Sequence, residues 1–114
     1  MAADERFLYL TTTGRRSGLP RRIEIWFVDH DGRYYLVSEH RERSHWVQNL
    51  RVEPAVSFSV GTRADGEDSI PMTPARARVV SAEAEPELAA KVTALMDAKY
   101  GWSDGLIVEL SPAR

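Results

Sequence analysis

The sequence predicts a mainly β protein of the α+β class: six antiparallel strands in a small closed or partly open barrel, with two helices. Three observations carry this reading. Short runs of alternating apolar and polar residues recur along the chain, with turn residues between them. Consecutive runs are joined as hairpins, which implies an antiparallel sheet. Two stretches switch to helical spacing, one after Ser44 and one after Pro86.

Phe7 to Thr12 is aromatic and β-branched and reads as the first strand. Arg21 to Asp29 alternates, with Ile23, Ile25 and Phe27 on one face and Arg22, Glu24, Trp26 and Val28 on the other. Asp31-Gly32 signals a hairpin turn. Arg33 to Ser38 is the third strand, with Tyr34 and Leu36 opposite Tyr35 and Val37. In SHWVQNLRVEP, Ser44 stands as N-cap, Trp46, Val47 and Leu50 keep helical spacing, and Pro54 ends the helix. Ala55 to Val60 is the fourth strand, and GTRADGEDSIP reads as a polar loop or hairpin tip. Thr73 to Ser81 alternates again. Pro86 suits a first helical position, Leu88, Val92, Leu95 and Met96 form an apolar stripe, and Gly101 stops the helix. Gly105 to Leu110 is a short last strand.

A chain of 114 residues, 43% hydrophobic and 28% charged, fits one compact domain spanning residues 1–114. Its core is modest, so a second chain or a cofactor would help it; a homodimer is expected. With 15 basic and 17 acidic residues the formal net charge is −2, which argues against nucleic acid as a partner. The absence of cysteine excludes disulfides, thiolate zinc sites and cysteine nucleophiles, and suits a cytoplasmic protein. MAADERFLYL lacks the apolar core of a signal peptide, and no apolar run approaches the roughly 20 residues of a membrane span.

The basic residues are nearly all arginine, and four of them crowd one turn, TTTGRRSGLPRR. Such a turn either guards a sheet edge or holds an anion. Gly14 and Gly18 let backbone approach a ligand and expose N–H groups, Ser17 supplies a hydroxyl, and Arg15, Arg16 and Arg21 supply forked charged donors. Arg22, already in the strand, is the weaker candidate. The stretch EHRERSHW places Arg43 and Ser44 just before a helix N-terminus, where anions are favoured. Alone it reads as a solvated charge run; placed opposite the arginine turn it supplies the other side of one site. The histidine spacing does not suit a metal, no GxSxG marks a hydrolase, and no catalytic residue stands out. Trp26, Tyr35 and Trp46 read as core by default, and Tyr100 and Trp102 as sealing the barrel end or capping a flat ligand.

LTTTGRRSGLPR, a DG hairpin and an RSHWVQNL helix together resemble the flavin- and deazaflavin-binding split β-barrel superfamily, nearest to the deazaflavin-dependent nitroreductases. The resemblance rests on Thr12, Thr13, Gly14, Arg15, Ser17, Gly18 and Arg21, then Trp46, Asn49 and Leu50, and covers about residues 7 to 60. It implies hydride transfer between a reduced cofactor, F420 or FMN, and a small electron acceptor such as a quinone or nitro compound. By match, Arg15, Arg16, Ser17 and Arg21 contact the cofactor's phosphate-bearing tail, and Arg43 and Ser44 close on it. The cofactor then carries the redox chemistry. The second strand has Glu24-Ile25 where the nitroreductase branch has Pro-Leu, and SEHRERSHW is shorter and more charged than that branch's loop. F420, FMN and no cofactor all stay compatible, as does a non-catalytic module that binds a flavin or another anion on the same barrel.

Overall fold

The computed structural model describes residues 6–62 and 71–113. The strands are β1 (Phe7–Thr13), β2 (Pro20–Ile25), β3 (Val28–His30), β4 (Arg33–Ser38), β5 (Ala55–Gly61), β6 (Thr73–Val80) and β7 (Leu106–Pro112). A 3-10 turn (Arg41–Arg43) leads into helix α1 (His45–Val52), and α2 (Pro86–Tyr100) joins β6 to β7. The mainly β, α+β class holds, with two α-helices among the described residues. Most of the GTRADGEDSIP segment lies outside the described residues. Among the described residues no helix is long and apolar enough to cross a membrane.

All pairings are antiparallel, in the order β2-β1-β5-β6-β7-β4-β3. The two edge strands, β2 and β3, are successive pieces of one segment, so the sheet closes on itself through the bend between them. Among the described residues the expectation of six strands is corrected to seven. The stretch read as one strand from Arg21 to Asp29 breaks at Trp26-Phe27. Its ladder groups are taken by α2 instead: Phe27 N–H donates to Tyr100 Oη (3.1 Å), while Tyr100 Oη (3.0 Å) and Lys99 Nζ (2.8 Å) donate to the Phe27 carbonyl. A backbone whose N–H and C=O are satisfied by side chains need not stay in a ladder.

Alternation along the strands builds two apolar layers. Leu8 and Leu10 of β1, Leu36 of β4, Phe58 of β5, Ala77 of β6 and Val108 and Leu110 of β7 pack in one cluster, into which α1 inserts Val47 and Leu50. Tyr35, Val37, Val80 and Ile107 face the other way, under Ala89, Val92 and Met96 of α2. The one-residue offset between these sets is the period-2 pleat. Asp31 (φ 55°) and Gly32 (φ 78°) make the β3–β4 turn, both left-handed as a two-residue type I′ connection requires. Gly101 (φ 69°) ends α2, its N–H donating to the Asp97 carbonyl at 2.9 Å.

Gly105 lies where β7 begins alongside Ser38. A Cβ there would run into the Ser38 carbonyl and Val37 Cγ1. Because the obstacle includes backbone, Gly105→Ala is expected to lower stability by about 2 kcal/mol, within the usual range for overpacking. A thermal melt checks this; a melting point equal to wild type would show that β7 shifts at no cost.

Candidate functional site

The arginine turn and α1 are joined by one buried amide. Asn49 is 4% exposed. Its Oδ1 accepts from Arg15 N–H (3.2 Å) and Arg15 Nη1 (2.9 Å), and its Nδ2 donates to Thr12 Oγ1 (3.2 Å). Arg15 Nη2 also lies 3.2 Å from His45 Nδ1, which must be the unprotonated nitrogen to accept from it. Arg15 is therefore a strut between turn and helix, with its backbone N–H and two guanidinium nitrogens bonded inside the protein.

The turn closes on its own backbone. Gly14 N–H donates to the Leu19 carbonyl and Gly18 N–H to the Gly14 carbonyl, both at 2.8 Å. This corrects the expectation that these glycines offer their N–H groups to an anion. Gly14 is needed for space, because a Cβ would meet Ser17 Oγ at 2.6 Å and the Leu19 carbonyl at 3.2 Å. Ser17 Oγ accepts from Leu19 N–H (3.1 Å) and Arg21 Nη2 (3.5 Å), so its own hydroxyl proton stays available to an incoming anion.

Between turn and helix runs a groove of about 610 Å³, lined on one side by Gly14, Arg15, Arg16, Ser17, Arg21 and Arg22, and on the other by His45, Trp46 and Asn49. Arg16 and Arg21 are exposed and face this space. Arg22, the weaker candidate from sequence, also lines it, with its guanidinium 4.9 Å from the Tyr9 ring centroid. Thr13 and Gly18 do not line it: Thr13 pairs with Pro20 in the ladder and Gly18 shapes the turn. Arg43 is likewise displaced. It borders a smaller apolar hollow with Ile23, His40, Ser44, His45 and Trp46. The helix itself, rather than the basic loop before it, forms the second wall.

That hollow shares Ile23, His45 and Trp46 with the arginine groove, and shares His40, Ser44 and Trp46 with a second groove of about 640 Å³, lined by Phe7, Ile25, Trp26, Trp46 and Trp102 with Glu24, Glu39, Ser38, His40 and Ser44. Trp46 borders all three spaces. Trp26 is 42% exposed and lies flat on Tyr100 (centroids 4.4 Å apart, planes at 1°), with Trp102 edge-on at 6.4 Å. Tyr100 thus supports the wall and Trp102 lines it, whereas Trp26 is not core. Ser44 holds the N-cap position of α1 without a side-chain cap bond. Its Oγ lies 2.7 Å from Ser38 Oγ, which donates to the Arg41 carbonyl at 2.9 Å. Ser38 has one proton and has spent it there. Ser44 must donate to Ser38, which leaves the Ser44 oxygen as an acceptor toward the groove.

A curled antiparallel sheet with an arginine-lined groove and a tryptophan-lined groove that both border Trp46 defines a class of small β-barrel proteins with known structural relatives. The fold matches HutZ, the heme storage protein from Vibrio cholerae, at a TM-score of 0.76 and 22% identity over 97% of this chain and 84% of that one. It matches an FAD-binding protein from Mesorhizobium loti at 0.72 and 12% identity over 96% and 82%. It also matches a protein described as an F420 reductase, at 0.63 and 17% identity over 96% and 88%. At these identities the likeness is one of fold. No curated protein sequence matches the chain. Residues 3–102 match the family described as F420H(2)-dependent quinone reductase, and the chain belongs to that family.

Proposed function

We infer that the protein is a deazaflavin-dependent oxidoreductase that binds F420 along the groove and passes a hydride to a small acceptor such as a quinone. The observation that carries this is the pairing of an arginine-lined groove with an aromatic one through the shared Trp46. A cofactor with a long anionic tail and a flat ring needs both. Arg16, Arg21 and the Ser17 hydroxyl are charged or protic donors suited to phosphate and carboxylate groups of the tail. Arg15, fixed by Asn49 and His45, positions them. Ser44 Oγ, an acceptor by proton count, suits a ring N–H. FMN has a single terminal phosphate and would leave part of the arginine groove uncovered; F420 is the better fit, and nitro compounds are secondary acceptors. When bound, the reduced deazaflavin supplies the hydride. The protein's part is to hold the anionic tail, orient the ring and cover it with indole faces that exclude water. A homodimer fits this reading, since the exposed β2 edge and Trp26 leave the groove open on one side.

Titration with F420 and with FMN tests the reading. F420 is expected to bind with a Kd below about 100 μM and more tightly than FMN. Arg16→Ala and Arg21→Ala each weaken it by about tenfold, the worth of a charge-assisted contact. Oxidation of F420H2 by menadione, followed by the returning absorbance of F420, gives the activity. No detectable F420 binding ends this reading, and binding without turnover leaves a binding module in its place.

A further inference from the structure

Residues 99–102, where α2 ends, converge on the bend between β2 and β3. Lys99 Nζ donates to the Phe27 carbonyl (2.8 Å), and Tyr100 Oη accepts from the Phe27 N–H (3.1 Å) and donates to the same carbonyl (3.0 Å). Gly101, left-handed at φ 69°, turns the chain so that Trp102 follows Tyr100 to one indole, that of Trp26. Tyr100 is thus held at its root by the helix and at its tip by both backbone groups of Phe27. Its ring lies on Trp26 with centroids 4.4 Å apart and planes at 1°. Trp26 borders the tryptophan-lined groove and Tyr100 does not, so the tyrosine lies on the side of the indole away from the groove. Trp26 itself is 42% exposed and stands at the break in the strand, where the ladder no longer fixes it. A stacked aromatic partner biases such a rotamer several-fold. A wall that sets the angle of a flat ring must itself keep one angle.

We infer that Tyr100 is a positioning residue for the deazaflavin ring and acts through Trp26. This rests on the function proposed above, in which indole faces cover the ring. The two parts of Tyr100 have separable roles. Its ring keeps the indole in one orientation. Its hydroxyl keeps the chain bent at Trp26-Phe27, where the indole is rooted. Without the ring, Trp26 is left to change rotamer, and a cofactor must then fix that rotamer as it binds. Affinity for the deazaflavin ring falls by that ordering cost. The anionic tail is unaffected, because Trp26 does not border the arginine groove.

Titrations with F420 and with deazariboflavin, which carries the ring and no anionic tail, test this. Tyr100→Leu is expected to raise the Kd of both by about fivefold, whereas Tyr100→Phe, which keeps the stack, stays within about twofold of wild type. Inorganic pyrophosphate, a probe of the arginine groove alone, binds all three proteins equally. In a Trp26→Leu background, Tyr100→Leu adds no further loss of ring affinity, because the residue acts through the indole. Stability follows a different order: Tyr100→Phe gives up two hydrogen bonds and melts roughly 5–10 °C below wild type, although its ring affinity holds. Proton NMR of the cofactor-free protein supplies an independent readout. The Trp26 indole protons, assigned by their absence in Trp26→Leu, are shifted upfield by the Tyr100 ring in wild type and Tyr100→Phe, and lose that shift in Tyr100→Leu. Indole shifts that survive Tyr100→Leu, a pyrophosphate affinity that falls along with ring affinity, or losses that add in the double variant overturn the inference. F420 that binds wild type and Tyr100→Leu alike removes this inference and leaves the proposed function standing; F420 that binds neither removes both.

Discussion

Asn49→Leu is expected to lower stability by about 2 kcal/mol and to weaken anion binding at the arginine turn by about tenfold or more. Leu matches the volume and adds apolar area, but it leaves the Arg15 N–H and the 1%-exposed Thr12 hydroxyl without the partner they now have. Each buried polar group so orphaned costs about 1–3 kcal/mol, offset in part by the added burial. For a domain of this size that corresponds to a fall in melting temperature of roughly 10 °C. Binding suffers because Arg15 no longer ties the turn to α1, and Arg16, Ser17 and Arg21 lose their fixed distance from His45 and Trp46. Asn49→Asp is the control. It keeps an acceptor for Arg15 and lets Thr12 donate instead, so most of the affinity stays. A thermal melt and a titration with F420 measure both parts; a Leu variant that melts within about 2 °C of wild type would show that the amide is not a clamp.

This clamp was half visible in the sequence. Asn49 falls at helical spacing from Trp46 and next to Leu50, so it is a polar residue on an apolar face. A polar group so placed must find a partner, but its identity depends on a residue 34 positions away. Local patterns did well wherever the governing interaction is local: the Asp31-Gly32 turn, the Pro86 start and Gly101 stop of α2, and the alternation of β4 all stand as read. The break at Trp26-Phe27 was not readable, because nothing in IEIWFV weakens a strand. Its cause is Lys99 and Tyr100, more than 70 residues on.

The candidate site shows the same division. Residue type picked out Arg16, Ser17 and Arg21, whose side chains do face the groove. It could not show that Arg15, which also lines the groove, ties the turn to α1 through Asn49 and His45, because the sequence does not say how many of a guanidinium's five donors the protein itself will use. The glycine N–H groups were misread for a related reason: a turn this tight consumes its own backbone donors. Ser38, Glu24 and Glu39 were not put forward for the site, since each sits in a strand or at its end and reads as ordinary alternation or surface charge. Only closure of the sheet brings β2, the end of β4 and the start of α1 to one groove.

Arg78→Leu is expected to cost about 3 kcal/mol and to invert the acid side of the stability profile. Glu109 is 4% exposed on β7 and accepts from Arg78 Nε (2.8 Å), Arg78 Nη2 (3.2 Å) and Tyr35 Oη (2.9 Å). Burial alone would push its carboxyl up, but the hydrogen bonds from Arg78 and Tyr35 outweigh burial and hold it below 4.5. In the wild type this stabilisation is present above about pH 4.5 and is lost as pH falls through the depressed folded value. Removing Arg78 strands a buried carboxylate, a loss of about 3–5 kcal/mol when fully dry; the Arg78 side chain is 46% exposed, so the lower end applies. Burial then dominates, the folded value rises, and the variant gains stability on acidification from pH 7 toward pH 5, where the wild type is flat. Adding Glu109→Gln to Arg78→Leu recovers part of the loss, because a neutral amide needs no counter-charge. On the alkaline side, burial and the bond to Glu109 push the Tyr35 hydroxyl up to about 12, so wild-type stability drains between pH 10 and about pH 12 as the unfolded chain ionises first. Urea unfolding across this range checks both limbs. An Arg78→Leu variant that loses stability from pH 7 to pH 5 in parallel with wild type would mean that Glu109 finds another cation, and Arg33, 4.0 Å away, is the group to remove next.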